Sequence, residues 1–113
     1  MNALKNHVQL LGSVDKILSL NPSKQHKKIV RFTLVTIESY FVKSERISEK
    51  QSHLIVGQGS CAELFEKHCK AGSRILITGK LSYRKIETAY ITEIILSEIF
   101  VINKSMDSPS SES

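Results

Sequence analysis

HLIVGQGSCAELFEKHCKAGSRILITGK, residues 53–80, holds a strand, a helix and a second strand in that order. The middle piece, Ser60 to Lys70, is the only good helical stretch in the chain. Ser60 is placed to cap it, and Glu63 three residues later completes a capping box. Ala62, Leu64, Phe65 and Cys69 form an apolar stripe at helical spacing. Ala71-Gly72-Ser73 should stop the helix with a C-terminal glycine. On the upstream side, His53 to Val56 reads as a short strand with Gly57 and Gly59 near its end. Downstream, Arg74 to Ile86 reads as a longer one, with Ile75, Ile77, Gly79 and Leu81 on one face.

Working outward, the chain alternates with a strand period. From Asn6 to Leu20, Val8, Leu10, Gly12 and Val14 alternate with His7, Gln9, Leu11 and Ser13. Gly12 in the middle suggests a bend or bulge. Residues 21–26, NPSKQH, carry turn chemistry. From Lys28 to Phe41, Val30, Phe32, Leu34 and Thr36 share a face, and the β-branched content suits a strand. The charged segment VKSERISEKQ, residues 42–51, is expected to be a loop at a hairpin tip. Thr88 to Ile102 supplies the fifth strand, in which Tyr90, Thr92, Ile94 and Leu96 alternate with Ile91, Glu93, Ile95 and Ser97. Three strands, a helix and two strands is the order of the all-β OB-fold, a five-stranded barrel whose second and third strands face nucleic acid. Another small five-stranded barrel fits the same pattern. Residues 1–103 are expected to form this one domain. Residues 104–113 are Ser-rich and expected to be a disordered tail.

The charge balance points to a class of partner. There are 16 Lys+Arg against 11 Asp+Glu, a formal +5. Residues 103–113 hold one Lys, one Asp and one Glu, so residues 1–102 carry fifteen basic and nine acidic side chains, +6. A basic folded body suits a polyanion, either nucleic acid or an anionic membrane surface. No apolar run approaches the roughly 20 residues of a membrane span, and the first residues lack the apolar core of a signal peptide. Cys61 and Cys69 lie eight residues apart on the expected helix, about 12 Å, too far for a disulfide. Free thiols fit a reducing cytoplasm. With His68 the two cysteines match no zinc spacing, so neither a metal nor a cofactor is expected. No nucleophile–base set, paired carboxylates or Gly-rich phosphate loop stands out, and no enzymatic activity is expected. Glu38 reads as structural.

Four stretches carry a resemblance. They are Asn6-x-Val8-x-Leu10-x-Gly12-x-Val14; RFTLVTIESY, residues 31–40; His53-Leu54-Ile55-Val56 with Gly59 and Ala62-Glu63; and GSRILITGKLSYRK, residues 72–85, continuing through Tyr90-Ile91-Thr92-Glu93-Ile94. In this order the chain resembles the bacterial single-stranded DNA-binding proteins over residues 6–102. The resemblance implies an OB barrel assembled as a homotetramer, with a dimer as the lesser form. It implies sequence-independent binding of single-stranded DNA in replication, recombination and repair. It also implies a cytoplasmic, nucleoid-associated protein. Oligonucleotide binding of this kind combines a basic groove with aromatic stacking platforms.

Against the family pattern, this chain has no Trp. Of the four places where the family stacks bases, Tyr40 keeps an aromatic, whereas Ser52, Gln58 and Ile86 occupy the others. Tyr83 or Tyr90 is placed to compensate. Family tails usually end in an acidic stretch closed by Pro-Phe. The sequence here ends Ser111-Glu112-Ser113, and recruitment of partners through such a peptide is not expected. The nucleic-acid-binding candidates are Tyr40 and Tyr83 as rings, with Arg31, Lys43, Arg46, Lys50, Lys80, Arg84 and Lys85 on phosphates. Arg84-Lys85 matches a basic stretch of the family. The oligomer-interface candidates are Val8, Gln9, Leu10 and Leu11, since this strand is apolar on both faces, and His53, which matches a family position near the subunit interface. Two other readings remain open. One is an OB-fold paralog acting as a protein-interaction module, favoured by the missing platforms. The other is an RNA-binding module like the cold-shock domains, whose surface-aromatic clusters this chain lacks.

Overall fold

The β-branched and aromatic alternation closes on itself. In the computed structural model, residues 5–22 and 28–103 are described, and their five strands form one barrel. In chain order these are β1 (Val8–Pro22), β2 (Lys28–Val42), β3 (Glu45–Gln58), β4 (Arg74–Ile86) and β5 (Ala89–Asn103), with α1 (Ser60–His68) between β3 and β4. Around the barrel they run β1-β2-β3-β5-β4 and back to β1. This is the OB-fold order, with the single helix where it was expected. Closure rests on a short parallel contact, Ile55 opposite Ile94 and Val56 opposite Ile95. All other neighbours are antiparallel. The expected tail, residues 104–113, lies outside the described residues. No described helix is long and apolar enough to cross a membrane.

The core forms from the inward parity of each strand. Val14, Val30, Phe32, Leu34, Ile55, Ile75, Ile77, Ile94 and Leu96 are buried, and α1 adds Ala62 and Phe65 from below. Phe32 and Phe65 stack with ring centroids 4.4 Å apart, so the helix plugs the barrel floor. Burying side chains of this size stabilises by roughly 1.5–3 kcal/mol each before entropy is counted.

Four local expectations are corrected. Residues 42–51 are not a loop. They are ladder, and β2 and β3 pair without a break from Ile29–Gln58 to Val42–Glu45. The strand expected over His53–Val56 therefore has 14 residues. The turn at Lys43-Ser44 has both residues at positive φ, 51° and 71°, as in the type I′ turn that suits hairpin twist. Ser60 does not cap α1. Gly59, at φ 61°, takes that position, no side chain bonds there, and Ser60 begins the helix. The Gly59 N–H donates to the Lys28 carbonyl, which ties the helix entry to β2. The helix ends at His68, with Cys69 extended. Finally, of the bend or bulge expected at Gly12, the bulge is not there and the bend is. β1 pairs evenly with β4 from Val8 to Ser13, and its register shifts fall between Val14 and Ser19. Glycine is needed at position 12 because a Cβ there would lie 2.3 Å from the Val35 carbonyl oxygen, where β1 bends from β4 onto β2.

One switch of face was not foreseen. Gly79 pairs with Leu96 but Thr78 pairs with Glu98, so Ser97 is an extra residue. The bulge turns inward parity from Ile94 and Leu96 to Ile99 and Val101. The Ser97 hydroxyl donates to the Thr78 carbonyl at 3.0 Å.

Candidate nucleic-acid interface

Two hairpins rise from the barrel, and strand parity decides what each presents. In the β4–β5 hairpin, Tyr83 pairs with Thr92 and Lys85 with Tyr90. Tyr83, Lys85 and Tyr90 therefore share the face of Leu81 and Ile94, which continues the barrel interior. Tyr83 is 64% and Tyr90 67% exposed. The Lys85 ammonium stands 5.8 Å from the Tyr90 ring centroid, within cation–π reach. Two open rings and a cation on one face can stack bases and neutralise phosphate.

The neighbouring cation is turned away. Arg84 pairs with Ile91 on the opposite face. Its guanidinium donates to the Glu93 carboxylate at 2.9 Å. Glu93 is only 5% exposed, and a buried carboxylate needs such a partner. The expected Arg84-Lys85 pair is thus split: Lys85 stands on the ring face and Arg84 is held as a counterion. In the sequence Glu93 stood out only by its alternation and its place in the family-like stretch Tyr90–Ile94.

In the β2–β3 hairpin, Tyr40 lies opposite Ile47, with the pairs Glu38–Glu49 and Val42–Glu45 on the same side. The Tyr40 hydroxyl donates to Glu49 at 3.1 Å, and the ring is 42% exposed. Every carboxylate of this hairpin lies on Tyr40's side. The other side carries the pairs Arg31–Val56, Val35–Ser52, Ile37–Lys50 and Phe41–Arg46. Arg31, Arg46 and Lys50, all predicted for phosphate, are therefore together and apart from Tyr40. Phe41, which sequence reading passed over, is paired directly with Arg46. Lys43 sits in the turn and Lys80 faces outward opposite Ile95. Ser52 and Ile86 offer no ring, and Gln58 is exposed at the end of β3.

The interface candidates also separate. Val8 and Leu10 point inward and pack against the core, while Gln9 and Leu11 are exposed. Leu11 pairs with Leu76, and Leu76 with Phe100, giving one apolar row across three strands on the barrel exterior. β1 pairs with β2 only from Ser13 onward, so the Val8–Gly12 edge opposite β4 has no ladder partner among the described residues. His53 is half-buried beside Thr36, Oγ1 to Nε2 2.9 Å, and desolvation holds its pKa below the usual imidazole value. It borders a cleft of about 140 Å³ between β3 and the β4–β5 pair, lined also by Leu54, Leu81, Thr92 and Ile94.

The model of the single-strand binding protein family matches residues 5–102. The chain belongs to this family. Among curated relatives, the single-stranded DNA-binding proteins of Rickettsia typhi (strain ATCC VR-144 / Wilmington) and Rickettsia felis (strain ATCC VR-1525 / URRWXCal2) are each 27% identical over 99 residues, 80% of this chain. The chain spans 65% of the length of these family members. Among solved structures, the Plasmodium falciparum SSB in complex with ssDNA superposes with a TM-score of 0.78 at 28% identity, covering 87% of this chain and 95% of that one. The wild-type single-stranded DNA binding protein of Thermus aquaticus shares the fold at a TM-score of 0.74 and 18% identity, covering 87% of this chain and 50% of its own.

Proposed function

We propose that this chain binds single-stranded DNA without sequence preference, as a non-enzymatic coating protein in replication, recombination or repair. The observation that carries the reading is the likeness to an SSB solved with ssDNA, 28% identical over nearly that whole chain. The local chemistry agrees: exposed Tyr83 and Tyr90 share a face with Lys85, and Arg31, Arg46 and Lys50 share another. Base stacking contributes roughly 1–3 kcal/mol per base. With Ser52, Gln58 and Ile86 in place of rings, phosphate contacts carry more of the binding. Residues 1–103 act as the binding domain, in the cytoplasm at the nucleoid.

Titration of fluorescein-labelled oligo-dT at several salt concentrations tests this. Binding is expected, with log K falling against log salt by about 0.7 per phosphate contact. Affinity that ignores salt would overturn the charge-weighted form, and absence of binding at low salt would overturn the function. The second outcome would leave the interaction-module reading, which the missing platforms and the Arg84–Glu93 pair favour.

We further propose a homo-oligomer, a tetramer or at least a dimer. The Leu11–Leu76–Phe100 row and the open Val8–Gly12 edge support it. A single subunit would leave that row in water and that edge free to pair.

A further inference from the structure

The β2–β3 hairpin is a two-faced ladder with its charges fully sorted. Along the paired ladder the Tyr40 face carries Glu38, Glu45 and Glu49 and no Lys or Arg; Lys28, at the start of β2, lies beyond the ladder in an ion pair with Glu66. On the opposite face stand Arg31, Arg46 and Lys50 and no carboxylate. Direct cross-strand pairing places Arg46 beside Phe41 and Lys50 beside Ile37. Among the described residues Phe41 is the most exposed of the large apolar side chains, at 72%. Arg46 is held toward the ladder by a bond from Nη2 to Ser39 Oγ at 3.3 Å, and Ser39 meets Ser48 at 3.1 Å. The Tyr40 ring, by contrast, is tethered through its hydroxyl to Glu49.

A strand carrying phosphates is repelled by three carboxylates and attracted by three cations. Both faces offer a ring, so charge decides between them. The Phe41 face is also the face of Ser52, where a ring is missing from the family pattern. Phe41 lies six residues along β2 from Val35, the partner of Ser52, about 20 Å at strand rise. A platform has been lost at one end of this face and a different ring stands at the other.

We propose that single-stranded DNA runs along the Phe41 face of this hairpin, with Phe41, not Tyr40, as its stacking ring and Arg46 and Lys50 on the adjoining phosphates. This rests on the single-stranded DNA reading above. It names a path and a ring within it.

The chain has no Trp, so Phe41→Trp and Tyr40→Trp each create a single fluorescent reporter in the full-length protein. Oligo-dT should strongly quench the tryptophan of Phe41→Trp and leave that of Tyr40→Trp little changed. In parallel, Phe41→Ala should weaken oligo-dT binding about 5- to 150-fold, the range for one stacking ring. Tyr40→Ala should stay near wild type. Because Phe41 is open to solvent, its truncation should leave the melting temperature unchanged, and Phe41→Trp keeps a ring should it not. Lys50→Glu should reduce the salt slope. Wild-type binding with quenching at position 40 and not 41 would overturn the path while leaving the function standing. So would Phe41→Ala splitting the oligomer without a change in DNA affinity, which would make the face a contact between copies. Wild-type protein that fails to bind oligo-dT would overturn both.

Discussion

Arg84 shows how one residue can be read for two jobs when only the fold can assign it. Its position in the basic stretch suggests phosphate. Its guanidinium is instead spent on Glu93, which is almost wholly buried. Removing one partner of a buried polar pair leaves the other unsatisfied. Arg84→Ala should therefore destabilise the protein by about 1–3 kcal/mol, read by urea denaturation without DNA, and Arg84→Ala with Glu93→Gln should recover part of that loss. An unchanged unfolding midpoint in the single variant would return Arg84 to the phosphate contacts. Cys69 gives a second test. Burial pushes its thiol up to about 11. A pKa raised in the folded state means that stability is full below the ordinary thiol value. It is lost as pH rises from about 9 to about 11. Wild type should lose stability across that window and Cys69→Ala should lose less, measured by denaturant midpoints at successive pH values. Parallel curves for the two proteins would exclude this role.

Among the elements, the β2–β3 hairpin departs most from what its composition suggests. Lys43 and Ser44 both adopt left-handed backbone, which costs an L-residue roughly 1–2 kcal/mol. Asn-Gly or Asp-Gly is the usual occupant of such a turn, so KS gives no turn signal. The ladder that it joins, unbroken over fourteen pairs, outweighs the local strain. Ser44→Gly should relieve it and stabilise by about 1 kcal/mol. The melting temperature should rise by about 4 °C, seen in a thermal unfolding scan. A fall would show that the serine contributes something the backbone geometry does not reveal.

For the whole molecule, the exterior row of Leu11, Leu76 and Phe100 is the surface proposed for contact between copies. It crosses β1, β4 and β5 on their outward parity. Leu11→Glu combined with Phe100→Glu should convert the proposed oligomer to monomers in light scattering. The barrel should stay folded by circular dichroism, since both side chains are exposed. A mass equal to that of wild type would move the interface elsewhere. Dissociation should also weaken binding of long oligo-dT more than short, because fewer linked sites act on one strand.

Strand order, the place of the helix and the shared faces of Val30, Phe32 and Leu34 and of Ile75 and Ile77 were legible in the amino-acid order alone. Each depends on alternation or helical spacing within a few neighbours, and water sorts those residues in the same way in almost any context. Phe41 apart, the rings and cations proposed as the site, on the second to fifth strands, were named from the sequence through resemblance to the family. The Gly59 cap, the Ser97 bulge and the Arg84–Glu93 pair were not legible, nor was the sorting of Glu38, Glu45 and Glu49 from Arg31, Arg46 and Lys50. None of these is local. Tyr40 and Phe41 are adjacent in the chain and face opposite ways; Glu38 and Arg31 lie on β2 itself, but Glu45, Arg46, Glu49 and Lys50 come from β3. A slip of one residue in the β2–β3 register would have exchanged the β3 charges between the two rings, so the register, fixed by the Lys43-Ser44 turn and the ladder that it joins, determined which ring stands beside the β3 cations.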